Sequence, residues 1–224
     1  MFKNLLSFWK GKDFLSEVFG EFKDMLDDSE IMFRSVCGHL LDNVDTPDLK
    51  ENIYAIDKKV NHLQKQIRRR VVEHLTLQPT VNVTACLLLM SVVKDAERLG
   101  DYAKNLYQVS EFLEKPIDRV LFGQYFDDLD KEILKLFTQT KDAFIETDEE
   151  KARSTWGYHR RINTTCDKIV ETLARSDLTV NEAVCFALIA RYFKRIVSHL
   201  VNIATSVILP LSDLDYFDER RTEE

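Results

Sequence analysis

Two ten-residue stretches decide how this chain is read: Ala96-Glu97-Arg98-Leu99-Gly100-Asp101-Tyr102-Ala103-Lys104-Asn105 and Phe193-Lys194-Arg195-Ile196-Val197-Ser198-His199-Leu200-Val201-Asn202. Arg98 falls over Arg195 and Asn105 over Asn202 at the same spacing of 97 residues. Both stretches sit in long helical patterns, so the chain reads as a duplicated helical unit. The frameworks match, but the charges do not. Glu97 and Asp101 are four residues apart on one helix face, about 6 Å from each other, where two carboxylates repel unless a cation joins them. The second copy carries Lys194 and Ser198 at those positions. One half of the duplication keeps an acidic site and the other has lost it.

Composition limits the alternatives. The 224 residues can bury a large core, and 45% hydrophobic content is incompatible with wholesale disorder. Six Gly and four Pro are few, which favours long helices over a sheet-rich fold. A formal charge of −7 argues against nucleic acid as a partner, because phosphate backbones are neutralised by Lys and Arg. Cys37, Cys86, Cys166 and Cys185 are far apart and form no Cys-x-x-Cys pair, so reduced, buried thiols are expected. The sequence has neither an apolar run long enough to span a bilayer nor a signal-peptide pattern at its start, and a soluble cytoplasmic protein is expected.

Apolar periodicity predicts six helices in an all-α fold. The first runs from about Asp13 to Leu41. The second opens at Thr46-Pro47-Asp48, carries Ile53, Ile56, Val60, Leu63, Ile67 and Val71, and stops at Pro79. The third restarts at Thr80 and reaches Glu97 and Asp101. Lys115-Pro116 divides the chain. A fourth helix follows, with Gly123 as a point of bending in its first turns, and a fifth opens at Thr147 with Glu150 as a capping box. A sixth opens with a second such box, Thr179 to Glu182, and runs to about Leu209 before Pro210. This gives two tandem antiparallel three-helix bundles, residues 13–114 and 116–209, flanked by a short amphipathic segment (1–12) and a charged tail (210–224).

Asp57-Lys58-Lys59-Val60-Asn61 on the second helix, Gln78-Pro79-Thr80 at the turn, and Glu97-Arg98-Leu99-Gly100-Asp101 with Asn105 on the third together resemble the PhoU family of phosphate-uptake regulators. The match follows nearly the whole chain in order and spacing. The resemblance implies a duplicated bundle in which paired acidic motifs hold a divalent or trivalent metal, such as iron, manganese, magnesium or zinc. Carried over, the first site comprises Asp57, Asn61, Glu97 and Asp101. Three carboxylates and an amide oxygen are hard donors and suit magnesium, manganese, calcium or iron better than zinc. The matching residues of the second bundle are His159, Asn163, Lys194 and Ser198. Lys194 puts a fixed cation beside the expected metal position, so that half is read as metal-free. The resemblance further implies a cytoplasmic homodimeric adaptor, not an enzyme, that damps phosphate uptake or signalling by contacting a membrane phosphate transporter or its sensor kinase.

Other features have plainer readings. Without the duplication, Glu97 and Asp101 would pass as ordinary surface acids. Gly100 lets helices approach closely. Arg68-Arg69-Arg70 fan around their helix as a solvated face. Phe2, Leu5, Leu6 and Trp9 with Lys3, Lys10 and Lys12 form a short interfacial pattern suited to peripheral membrane contact, or to capping the bundle. The competing class is a carboxylate-bundle metalloprotein or metal-dependent enzyme unrelated to phosphate transport. Di-iron bundles of that class need Glu-x-x-His on each of two helices, and the sequence contains none. It also lacks a Gly-x-Ser-x-Gly elbow and a phosphate-cradling Gly-rich loop.

Overall fold

A computed structural model describes residues 14–214, so the amphipathic segment 1–12 and most of the charged tail lie outside the described residues. Seven α-helices occupy this span: α1 (Phe14–Asp42), α2 (Leu49–Leu77), α3 (Val83–Phe112), α4 (Arg119–Phe126), α5 (Leu129–Glu146), α6 (Glu149–Leu173) and α7 (Val180–Thr205), with a short 3-10 turn at Leu211–Asp213. No strand occurs among the described residues. None of the described helices is long and apolar enough to cross a membrane.

Helices α1, α2 and α3 pack on one another as one bundle, and α5, α6 and α7 as a second. The six-helix expectation is corrected at one place, where the predicted fourth helix is two helices, α4 and α5. The break falls at Asp127 (φ 50°, ψ −130°), not at Gly123, which lies inside α4. Asp118 starts α4 by accepting from the backbone N–H groups of Val120 and Leu121. Left-handed backbone at Asn43, Asp48, Asn82, Asp127 and Thr147 marks helix boundaries throughout. Asn and Asp tolerate this conformation better than most side chains, which lets a glycine-poor chain turn sharply.

The capping signals resolve unevenly. Thr179 and Glu182 form the predicted reciprocal box at the start of α7. Thr147 does not cap α6, because it occupies the left-handed position that ends α5, while the neighbouring Asp148 accepts from Glu150 and Lys151. At α2 the helix begins at Leu49, after Thr46 and Pro47, and α7 ends at Thr205, four residues before Leu209.

The two bundles share a core. Helices α3 and α7 lie against each other along their lengths, and α1 packs on α5. Phe33 of α1 meets Phe137 of α5 and Phe193 of α7 at ring separations of 5.6 and 5.7 Å. Phe122 and Phe126 of α4 stack at 4.1 Å, and Phe186 lies beside both rings with its plane nearly perpendicular to theirs. These side chains are at most 1% exposed, and full burial of one such ring stabilises by roughly 1.5–3 kcal/mol. Polar contacts add register: Lys141 of α5 reaches Asp27 (2.7 Å) and Glu30 (2.6 Å) of α1.

Candidate functional site

The buried positions of α2 run Ile53, Asp57, Val60, Gln64, Ile67 and Val71, so Asp57 interrupts an otherwise largely apolar inward stripe. A carboxylate so placed needs a partner, because its hydration is largely lost. On α3, Glu97 and Asp101 occupy the flank facing α2, one turn apart, with side chains 17% and 23% exposed. Lys104, one further turn along, carries the partner. Its Nζ donates to Asp57 Oδ1 at 2.8 Å and to Asp101 Oδ1 at 3.3 Å. Asn61 Nδ2 donates to the other Asp57 oxygen at 3.4 Å. Arg98 Nη1 donates to Asp101 at 2.9 Å, and its Nε lies 3.7 Å from Glu97.

Lys104 thus links Asp57 to Asp101, while Asn61 reaches the chain of contacts through Asp57 and Glu97 through Arg98. Burial, followed by the nearby Asp101 charge, holds the Glu97 carboxyl above its ordinary value, against the pull of Arg98 and Arg68. Burial works against the charge of Lys104, but its bonds to Asp57 and Asp101 outweigh this and raise its pKa. Among the described residues, no three His, Cys, Asp or Glu side chains converge tightly enough to hold an ion as they stand. The donor types are hard oxygens, and the ammonium of Lys104 lies between Asp57 and Asp101. Sequence reasoning passed over Lys104, although it lies three residues from Asp101 and on the same helix face.

In the second bundle the corresponding residues make different contacts. His159 Nε2 and Asn163 Nδ2 are 2.8 Å apart on α6. Lys194 turns to Asp167, reaching both carboxylate oxygens at 2.6 Å. Ser198 Oγ donates back to the carbonyl of Lys194 at 3.0 Å. Beside Lys194 a cavity of about 380 Å³ opens between α6 and α7, lined by Cys166, Val170, Ala187 and Arg191 among others. Ala187, one of the residues lining it, stands where the first copy has Met90. Burial pushes the Cys166 thiol up to about 12, and all four cysteines are buried free thiols.

Two further features were not legible as such in the sequence. His199 reads as an ordinary helix residue, yet its Nδ1 lies 2.7 Å from Oδ1 of the buried Asp95 across the α3–α7 seam. Asn202 donates to the same oxygen at 3.2 Å. The arginine run is not wholly solvated, because Arg70 clasps Glu17 and Glu21 of α1.

The PhoU domain profile matches residues 22–109 and 126–207, one block for each bundle. The chain belongs to the PhoU family. It is 23% identical to the phosphate-specific transport system accessory protein PhoU homolog 1 of Thermotoga maritima, over 83% of this chain and 77% of that protein. With the corresponding Synechocystis homolog it shares 26% over 69% and 71% of the two chains. The PhoU fold is repeated in the crystal structure of PhoU from Pseudomonas aeruginosa, with a TM-score of 0.75 and 22% identity over 87% of this chain and 95% of that one. The phosphate transport system regulatory protein PhoU of Streptococcus pneumoniae gives a TM-score of 0.69 at 18% identity over 88% and 95%. The two-bundle architecture of these PhoU proteins is therefore that of this chain.

Proposed function

We propose that this PhoU-family protein is a cytoplasmic regulatory adaptor, not an enzyme, that restrains phosphate uptake and phosphate signalling by contacting a membrane phosphate transporter or its sensor kinase. The observation that carries this reading is the PhoU match repeated over both bundles, together with relatives named as accessory proteins of phosphate-specific transport. The acidic face of α2 and α3 is the working surface. Asp57, Asn61, Glu97 and Asp101 supply hard oxygen donors for a divalent or trivalent cation such as iron, manganese, magnesium or zinc, which would offer open coordination positions to an oxygen of a partner or of phosphate. Asp57 and Asn61 hold one side of that surface on α2, and Glu97 and Asp101 the other on α3. The second bundle, whose Lys194 is already paired, serves as scaffold and homodimer contact.

Phosphate uptake and a low-phosphate reporter, measured in a strain lacking the gene and in the same strain complemented, test the regulatory role. Derepressed uptake on deletion, reversed by complementation, is expected. Unchanged uptake and reporter activity in the deletion strain contradict it.

A further inference from the structure

We propose that the α6–α7 groove of the second bundle is a docking site for the acidic, aromatic stretch Asp215-Tyr216-Phe217-Asp218-Glu219 of a second copy of this chain. The inference deepens the reading of the second bundle as the homodimer contact, and rests on it. The groove contains the cavity of about 380 Å³ beside Lys194. Buried Cys166 and Ala190 line it together with Val170 and Val184, which are 42% and 52% exposed. Val180, 80% exposed, lies one turn before Val184, and Leu188 one turn after it, so an apolar strip runs along this face of α7 at helical spacing. Arg191 and Arg195 continue the strip. Both are exposed, and among the described residues neither has an ion-pair partner. Lys194 beside them is already bound by Asp167. Two like charges four residues apart on a helix repel, so the face gains from an anionic neighbour as well as an apolar one.

The sequence beyond Leu214 meets both needs. Tyr216 and Phe217 supply large apolar surfaces with few rotatable bonds, and Asp215, Asp218 and Glu219 flank them. Residues 215–224 hold five acids against Arg220 and Arg221. The amphipathic segment 1–12 has the wrong sign, since its charged side chains are Lys3, Lys10 and Lys12. The groove served is that of a second copy because of reach. After α7 the chain places the turn Leu211–Asp213 on α3, whereas the groove opens on the α6 side of α7. Lys194 and Val184 lie about 17 and 32 Å back along α7 from its end at Thr205, at 1.5 Å per residue. The extended chain from Leu214 to Tyr216 spans only about 7 Å. A two-fold pair lets each copy lend its stretch to the other's groove.

Sedimentation equilibrium of the full chain tests this with three proteins: wild type, a groove variant (Val184→Glu with Arg191→Glu) and a tail variant (Tyr216→Ala with Phe217→Ala). Val184 and Arg191 are exposed, and a melting temperature near wild type verifies that the groove variant folds; Arg191→Glu alone serves if it does not. Each variant alone is expected to dimerise at least about tenfold more weakly than wild type. An equimolar mixture of the two should associate more tightly than either variant by itself, because one intact stretch then meets one intact groove. A wild-type dimer that the tail variant leaves unchanged overturns the inference, whether or not the groove variant weakens it. Two weakened variants that show no recovery on mixing overturn it as well. A wild type that stays monomeric overturns the homodimer reading and this inference together, and leaves the regulatory reading to its own test.

Discussion

Asp57 is a buried carboxylate on the core-facing side of its helix. It occupies a position where the helix period demands an apolar side chain, and its burial is tolerated because Lys104 and Asn61 satisfy both carboxylate oxygens. Gly100, between the two acids of α3, makes a contrasting case. A Cβ built there would lie 3.7 Å from Ser29 Oγ and Val60 Cγ1 and 3.8 Å from Met32 Sδ, all ordinary contacts. The matching residue of the second copy is Val197, also buried in a helix. Gly100→Ala is therefore expected to raise stability, by up to about 1 kcal/mol, because alanine loses less backbone entropy in a helix. Urea denaturation checks this, and a clear loss would show that α1 and α2 require the closer approach. At this scale the sequence paired Glu97 with Asp101, since spacing on a helix is fixed, whereas Asp57 on the neighbouring helix joined them only through the family resemblance. It did not reveal Lys104 as their partner, because the link to Asp57 crosses between helices and depends on how α2 and α3 are rotated.

Helix boundaries follow local chemistry more closely than helix number does. Thr179 and Glu182 are legible as a capping box because every contact lies within three residues. The break at Asp127 was not, since apolar periodicity continues across it and the turn lies in the backbone of one residue, Asp127 (φ 50°, ψ −130°). Thr147 misled because Asp148 beside it is an equally good cap. Thr179→Ala is expected to cost about 1 kcal/mol in chemical denaturation, whereas the same change at Thr147 leaves the α6 cap in place. Lys115, and then Thr179, hold the Glu182 carboxyl below its ordinary 4.5. A carboxylate depressed by folding contributes stability that is present above about pH 4.5 and disappears as the pH falls through the lowered value. Glu182→Gln should therefore melt below wild type at neutral pH, with the gap closing in acid. A gap that persists undiminished at pH 2 would place the effect in packing.

The whole molecule is held by a seam between the bundles as much as by either bundle alone. The duplication and the central break at Lys115-Pro116 were visible in the sequence, but the way the halves meet was not, because no periodicity encodes which outward faces pair. Phe33, Phe137 and Phe193 form the apolar part of that seam, and Asp95 with His199 and Asn202 the polar part. Removing the ring in His199→Ala takes one of two hydrogen-bond partners from the buried Asp95 and leaves it the bond from Asn202, and a loss of about 1–3 kcal/mol in urea denaturation is expected. A change near zero would mean that water replaces the ring freely. The proposed function puts the working surface on only one side of this seam. Phosphate uptake in cells, at matched protein levels, tests it most directly when Asp57→Asn, Glu97→Gln and Asp101→Asn are compared with Lys194→Ala and Ser198→Ala. The account predicts that the first three relieve repression while the last two leave uptake near wild type. Equal derepression by the Lys194 and Ser198 variants would contradict it.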